Sequence, residues 1–220
     1  MKKINIAFDG PSAAGKSTIA DLVAEKLGYT HLDTGAMYRA VAYEALQKGI
    51  ALDDEENVVM MIEDMDLEMK ADGSVVLNKE DISEKIRTNE ISLAASDVSK
   101  LEKVRAALVA MQQKISRGGG YILDGRDIGT VVLTDAEVKI YLTASVESRA
   151  LRRHKQNLEK GIESDLESIR RDIEKRDYQD THREHSPLKK AEDAVEIDSS
   201  DLSIEEVVDA VMALVEKELN

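Results

Sequence analysis

The stretch FDGPSAAGKST, residues 8–18, contains Gly10-x-x-x-x-Gly15-Lys16-Ser17, the spacing of a phosphate-binding loop. The pattern carries weight only between a strand and a helix, and the sequence supplies both. INIAF (4–8) is a short β-favouring run, and KSTIADLVAEKLG (16–28) has helical spacing closed by Gly28 as a C-cap. In that setting the glycines let backbone N–H groups turn inward around a phosphate, and the start of the helix adds partial positive charge. Lys16 can reach the outer phosphates, and the Ser17 hydroxyl is placed to coordinate Mg²⁺. A nucleoside triphosphate is the expected ligand.

Beyond the loop the chain keeps alternating. YTHLD (29–33) reads as a strand and AMYRAVAYEALQKG (36–49) as a helix closed by Gly49. DLEMKADGSVVLNKEDIS (66–83) breaks the rhythm, with two short runs around Ala-Asp-Gly that predict a hairpin and hence a small antiparallel insert. DDEE at 53–56 reads as an exposed helix start, and the methionines of VVMMIEDMDLEM as filler for the core of the insert. LEKVRAALVAMQQKI (101–115) is helical, and the glycines at 118–120 turn into a strand at YILD. VKIYLTA (138–144) is a strand, two charged helices follow, the second with a Ser164/Glu167 capping box, and AVEID (194–198) is the last strand. The closing helix, LSIEEVVDAVMALVEKEL, carries a Ser203/Glu206 capping box and an apolar stripe of Val207, Val211 and Leu214. Alternating elements predict an α/β fold, a parallel sheet covered on both faces, with ligands at the carboxyl ends of its strands.

Composition narrows the function. At 220 residues the chain fills one domain, with room for a smaller insert. A net charge of −14 argues against non-specific nucleic-acid or membrane-surface binding, so a polyanionic ligand must be held by local arginine, lysine and backbone clusters. The absence of cysteine excludes disulfides and thiolate zinc sites. Without a signal-peptide core or an apolar run of roughly 18 residues, a cytoplasmic protein is expected. Asn78-Lys79-x-Asp81 imitates the guanine-reading tetrapeptide of GTPases, but no glycine between 28 and 73 has an aspartate three residues before it, and the segment falls within the hairpin.

The second half of the chemistry rests on arginines: Arg39 after a strand end, Arg87, Arg105, Arg126, Arg176 and Arg183. YILDGRDIGTVVL (121–133) is the densest case, where Asp124, Arg126 and Asp127 crowd a strand end as metal ligands, substrate clamp or solvated turn. His182-x-x-His185 reads as a solvated pair rather than a metal site.

In order and spacing, GPSAAGKST, LDTGAMYRA, IRT, DGRDIGTVV, RDYQDTHR and SPLKKAEDAVEIDSS resemble the bacterial cytidylate (CMP) kinases of the nucleoside-monophosphate kinase group. The resemblance spans essentially the whole chain, including an enlarged monophosphate-binding insert around residues 58–100. It implies a P-loop kinase with a five-stranded parallel sheet flanked by helices, a small antiparallel monophosphate-binding insert and a short helical lid. The core would be residues 1–34, 101–148 and 184–220, the monophosphate-binding domain 35–100 and the lid 149–183. It also implies a monomer that transfers phosphate from ATP to CMP or dCMP with Mg²⁺.

By the same resemblance, Gly10, Pro11, Ser12, Ala13, Ala14, Gly15, Lys16, Ser17 and Thr18 bind ATP, joined by Arg149 and Arg153. Thr34, Arg39, Ser96, Arg105, Arg126, Asp127, Arg176, Asp180 and Arg183 bind CMP, with Asp127 and Ser96 reading the cytosine. Lys16, Arg126, Arg176 and Arg183 form the catalytic set. Ser17 holds the metal directly and Asp124 through water. A phosphate acceptor needs no general base, because its second pKa is about 6 and its attacking oxygen is largely ionised at neutral pH. The alternatives are a P-loop kinase for another small acceptor, such as UMP or a shikimate-like alcohol, and a nucleotide-dependent switch.

Overall fold

The computed structural model describes residues 3–70 and 72–219. Five strands, β1 (Asn5–Asp9), β2 (Thr30–Asp33), β6 (Tyr121–Gly125), β7 (Val138–Thr143) and β8 (Val195–Asp198), form one sheet in the order β2-β6-β1-β7-β8. Every pair is parallel, so all five carboxyl ends lie along one edge. This is the sheet expected from the alternating sequence.

Alternation along the central strands sets the two layers. Ile6 and Phe8 of β1, with Ile122 of β6 and Ile140 of β7, face α1 (Lys16–Leu27) and the C-terminal helix α8 (Ile204–Leu219), where Val207 and Val211 are buried. Ala7 and Leu123 face the opposite way, toward α2 (Thr34–Gln47), α3 (Glu55–Asp64) and α5 (Glu102–Ile115). The period-2 pattern of the strands therefore becomes two apolar cores, one on each face. Leu214 packs at the edge of the first.

The insert is a second sheet of β3 (Leu67–Met69), β4 (Val75–Leu77) and β5 (Glu80–Asp81), all antiparallel. Val75 and Leu77 pack with Ala36 and Ala40 of α2, so the insert stands on the helix that follows β2. The expected Ala-Asp-Gly turn includes Ala71, which lies outside the described residues. Asn78 and Lys79 form the β4–β5 turn with φ of 50° and 71°, the left-handed pair that a two-residue hairpin turn demands. The GTPase-like tetrapeptide is thus turn chemistry. Of the methionines assigned to the insert core, Met61 is buried and Met60 is exposed.

Caps explain several boundaries. Gly28 ends α1 with φ 64°, and Ser203 and Glu206 cap α8 reciprocally, Ser203 N donating to Glu206 Oε2 at 2.8 Å and Glu206 N to Ser203 Oγ at 3.2 Å. The expected Ser164/Glu167 box is corrected. Asp165 caps α7 (Leu166–His182) by accepting from Ser168 N at 2.8 Å, while Ser164 turns back to His154 on α6 (Val146–Glu159) at 2.9 Å. A carboxylate beats a hydroxyl at a helix N-terminus because it also meets the dipole. Elements not anticipated include the third insert strand β5, a 3₁₀ turn at Lys85–Arg87, α4 (Asn89–Val98), capped by Thr88, and a π-helical turn at Ile128–Val132 directly after Asp127.

Candidate active site

The loop between β1 and α1 is strained in the way a phosphate cradle requires. Gly10 has φ 149°, and a Cβ there would lie 2.0 Å from the Leu142 carbonyl oxygen, so no side chain fits. Ala13 holds φ 60° and Gly15 φ 92°, which turns the loop before α1 begins. Lys16 is buried and folds back on the loop, donating to the Gly10 and Pro11 carbonyls at 2.9 and 2.8 Å. Burial first, and then the neighbouring Arg126, bring its ammonium down to about 7. An anion in the loop is the group that would restore its charge.

Beside the loop, Ser17 Oγ donates to Asp124 Oδ2 at 2.8 Å. Two hard oxygens at a helix start suit Mg²⁺, which takes few protein ligands and keeps phosphate and water for the rest. The other Asp124 oxygen lies 2.9 Å from His31 Nε2, whose Nδ1 lies 2.6 Å from Asp21 Oδ1. Burial alone would lower His31, but the bonds to Asp124 and Asp21 outweigh it and raise the imidazole to about 9. Burial would likewise raise Asp124; His31, Lys16 and Ser17 hold it below the ordinary carboxylate range.

The turn after β6 carries a second cluster of charged side chains. Gly125 is boxed in, since a Cβ would meet Thr34 Oγ1 and Ile128 Cδ1 at 2.7 Å. Arg126 Nε donates to Asp180 Oδ2 of α7 at 2.6 Å. Asp127 is buried between two guanidiniums: Oδ2 accepts from Arg105 Nη2 at 2.5 Å, and Oδ1 lies 3.6 Å from Arg183 Nη2. Arg105 also lies over the Tyr38 ring at 5.4 Å. Burial and then Arg105 lower Arg183, whereas Asp180 keeps Arg126 raised against burial.

Asp9, at the end of β1, was missed by sequence reasoning. It accepts from Ile128 N at 2.7 Å and Gly129 N at 2.8 Å, capping the π-helical turn and fixing the backbone from which Arg126 and Asp127 project. Burial raises it to about 6. His31 was also passed over, because one histidine in a weak strand gives no signal until its two carboxylate partners are in place.

The structure gives the remaining expected residues the following surroundings. Thr34 is buried and donates to the Asp124 carbonyl at 2.7 Å, tying the start of α2 to β6. Arg39 Nη2 donates to Asp33 Oδ2 at 2.7 Å. Ser96 of α4 lies 3.4 Å from Gln179 of α7. Arg149 is buried against the cradle, Nη1 donating to the Ser12 carbonyl at 3.0 Å and Nη2 pairing with Asp177 at 2.6 Å, whereas Arg153 is exposed. Of the two possible metal histidines, His182 stacks on Tyr178 with 4.0 Å between ring centroids.

One electrostatic feature unites the acceptor side. Buried nitrogens of Arg39, Arg105, Arg176 and Arg183 lack a hydrogen-bond partner among the described residues. Arg176 is lowered to about 10 by burial and then by repulsion from Arg126, Arg39 and Arg153. Buried donors of one sign without partners are costly unless an anion joins them. The edge thus offers two anion positions, the cradle around Lys16 and the arginine group across from it.

Comparisons with known proteins agree. The family model for cytidylate kinase matches residues 6–217. The chain is 50% identical to the cytidylate kinase of Geobacillus sp. (strain WCH70), over 98% of each chain. It is also 50% identical to that of Ligilactobacillus salivarius (strain UCC118), over 99% of this chain and 98% of the relative. Among solved structures, an uncharacterized protein from Eubacterium ventriosum ATCC 27560 shares the fold with a TM-score of 0.56 at 12% identity, over 98% of this chain and 99% of that one.

Proposed function

The chain belongs to the cytidylate kinase family, and from that membership and the two facing anion sites we propose that it transfers the terminal phosphoryl group of ATP to CMP or dCMP, giving ADP and CDP or dCDP. The observation that carries the reading is the group of arginines beside the phosphate cradle, Arg39, Arg105, Arg176 and Arg183, each with one buried nitrogen that has no hydrogen-bond partner among the described residues, because a switch protein has no use for a second phosphate site. Gly10 through Thr18 hold the ATP phosphates, with Arg149 supporting the loop from behind and Arg153 reaching the nucleotide from the lid.

Mg²⁺ bound with ATP neutralises phosphate charge, and Ser17 would ligate it with Asp124 acting through water. The arginines do the rest of the work. Arg126, Arg176 and Arg183, with Lys16, offset the repulsion between two phosphate anions and hold them in line. Arg39 and Arg126 take the acceptor phosphate, and Asp180 and Arg176 the ribose. Asp127 accepts from the exocyclic amino group of cytosine, which uracil replaces with a carbonyl, and Ser96 and Arg105 complete that pocket. Residues 35–100 form the monophosphate-binding domain and 149–183 the lid of a cytoplasmic monomer.

A coupled ADP-release assay with CMP, dCMP, UMP, AMP and shikimate tests the assignment. CMP or dCMP should stimulate turnover far above the others. Equal stimulation by UMP or shikimate would overturn it.

A further inference from the structure

Four side chains from three elements close a ring behind the metal side of the site. Ser17 and Asp21 lie four residues apart on α1 and so share one helix face. Ser17 donates to one oxygen of Asp124, His31 of β2 bonds the other, and the far nitrogen of the same imidazole returns to Asp21. His31 touches no position assigned to a nucleotide. Its side chain is 11% exposed, and both of its nitrogens face carboxylates, which only accept. Each ring nitrogen lies within hydrogen-bond distance of a carboxylate oxygen, and the ring plane is fixed at both ends.

We infer that His31 is a positioning residue for the metal: by binding Oδ1, it holds Asp124 with Oδ2 turned to Ser17. This rests on the assignment of Ser17 and Asp124 to the metal. A carboxylate has two equivalent oxygens and a soft terminal torsion, so Asp124 without His31 could swing either oxygen away from Ser17. Partners standing behind metal-binding groups typically set affinity by 10–100-fold. Asp21 anchors the ring from outside, where its side chain is 65% exposed.

The test is Mn²⁺ binding to the enzyme–ADP complex by electron paramagnetic resonance, without CMP, alongside ADP binding in EDTA by calorimetry. His31→Leu should weaken Mn²⁺ about tenfold or more and leave ADP affinity in EDTA unchanged. His31→Gln, which still offers one N–H to Asp124, should return to within about threefold of the native value. If His31→Leu does not fold, Asp21→Ala takes its place and should weaken Mn²⁺ about threefold, and native Mn²⁺ binding there overturns the inference. Asp124→Asn separates the two layers of the claim. Weak Mn²⁺ binding in Asp124→Asn with native binding in His31→Leu removes His31 from the role. Native binding in Asp124→Asn removes the metal assignment, and the inference with it. Equal loss of ADP binding in EDTA would make His31 merely structural.

Discussion

Asp127 sits between Arg105 and Arg183 with a side chain only 7% accessible. The carboxylate therefore has two duties, neutralising buried arginines and presenting an acceptor to the base. Asp127→Asn keeps the shape and removes the charge, so CMP over UMP discrimination should fall at least tenfold while ATP binding holds; unchanged discrimination in steady-state assays would remove Asp127 from base reading. Arg126→Ala should lower turnover at least a hundredfold, about 3 kcal/mol for a lost charge-assisted clamp, and a near-native rate would count against the clamp. Asp9 gives a pH signature. Its folded pKa of about 6 lies above the ordinary 3.8, so the folded state binds more protons between those values and stability falls as pH rises through that window. Denaturant melts should show the native protein losing about 1 kcal/mol relative to Asp9→Asn between pH 5 and 7. The clustering of Asp124, Arg126 and Asp127 was visible in the sequence because they are nearly adjacent, whereas the part of Asp9 was not, since the amides it caps lie 119 and 120 residues away.

Among the elements, what the sequence made readable is what local chemistry decides. Gly28 and the Ser203/Glu206 pair act within a few residues and form as expected, whereas the equally local Asn78-Lys79 turn was not anticipated. Helix α4 was overlooked although Ile91, Ala94, Ala95 and Val98 have helical spacing behind the Thr88 cap; what that spacing does not give is the partner it packs on, α2. The proposed lid shows the opposite limit. In α6 and α7 only Arg149, Ala150, Ile173 and Asp180 are buried; Arg149–Asp177 joins the two helices to each other, and they are tied to the core by Arg149 to the Ser12 carbonyl and by Arg126–Asp180. Helices with few buried apolar contacts open locally before the core does. Hydrogen exchange should find α6 and α7 the fastest-exchanging helices of the free protein, and ADP with CMP should slow them by at least tenfold. Protection equal to that of α1 in the free protein would contradict a mobile lid.

For the molecule as a whole, a chain of net charge −14 gathers Arg39, Arg105, Arg126, Arg176 and Arg183 at one sheet edge, where four buried guanidinium nitrogens have no hydrogen-bond partner among the described residues. That arrangement is unfavourable in the free protein and favourable once anions arrive, so substrate binding and global stability are coupled through the same arginines. Arg176 is the clearest case, because burial and like-charged neighbours lower it to about 10 without a carboxylate bonded to its Nε. Arg176→Met keeps the length of the side chain and removes the charge. In the free state it should raise stability by about 1 kcal/mol, after allowance for solvent screening, while turnover collapses. CMP should raise the melting temperature of the native protein, cytidine should not, and Arg176→Met should lose most of the response to CMP. A free variant less stable than the native protein would mean that Arg176 is held by favourable contacts, and the edge would not be poised for an anion.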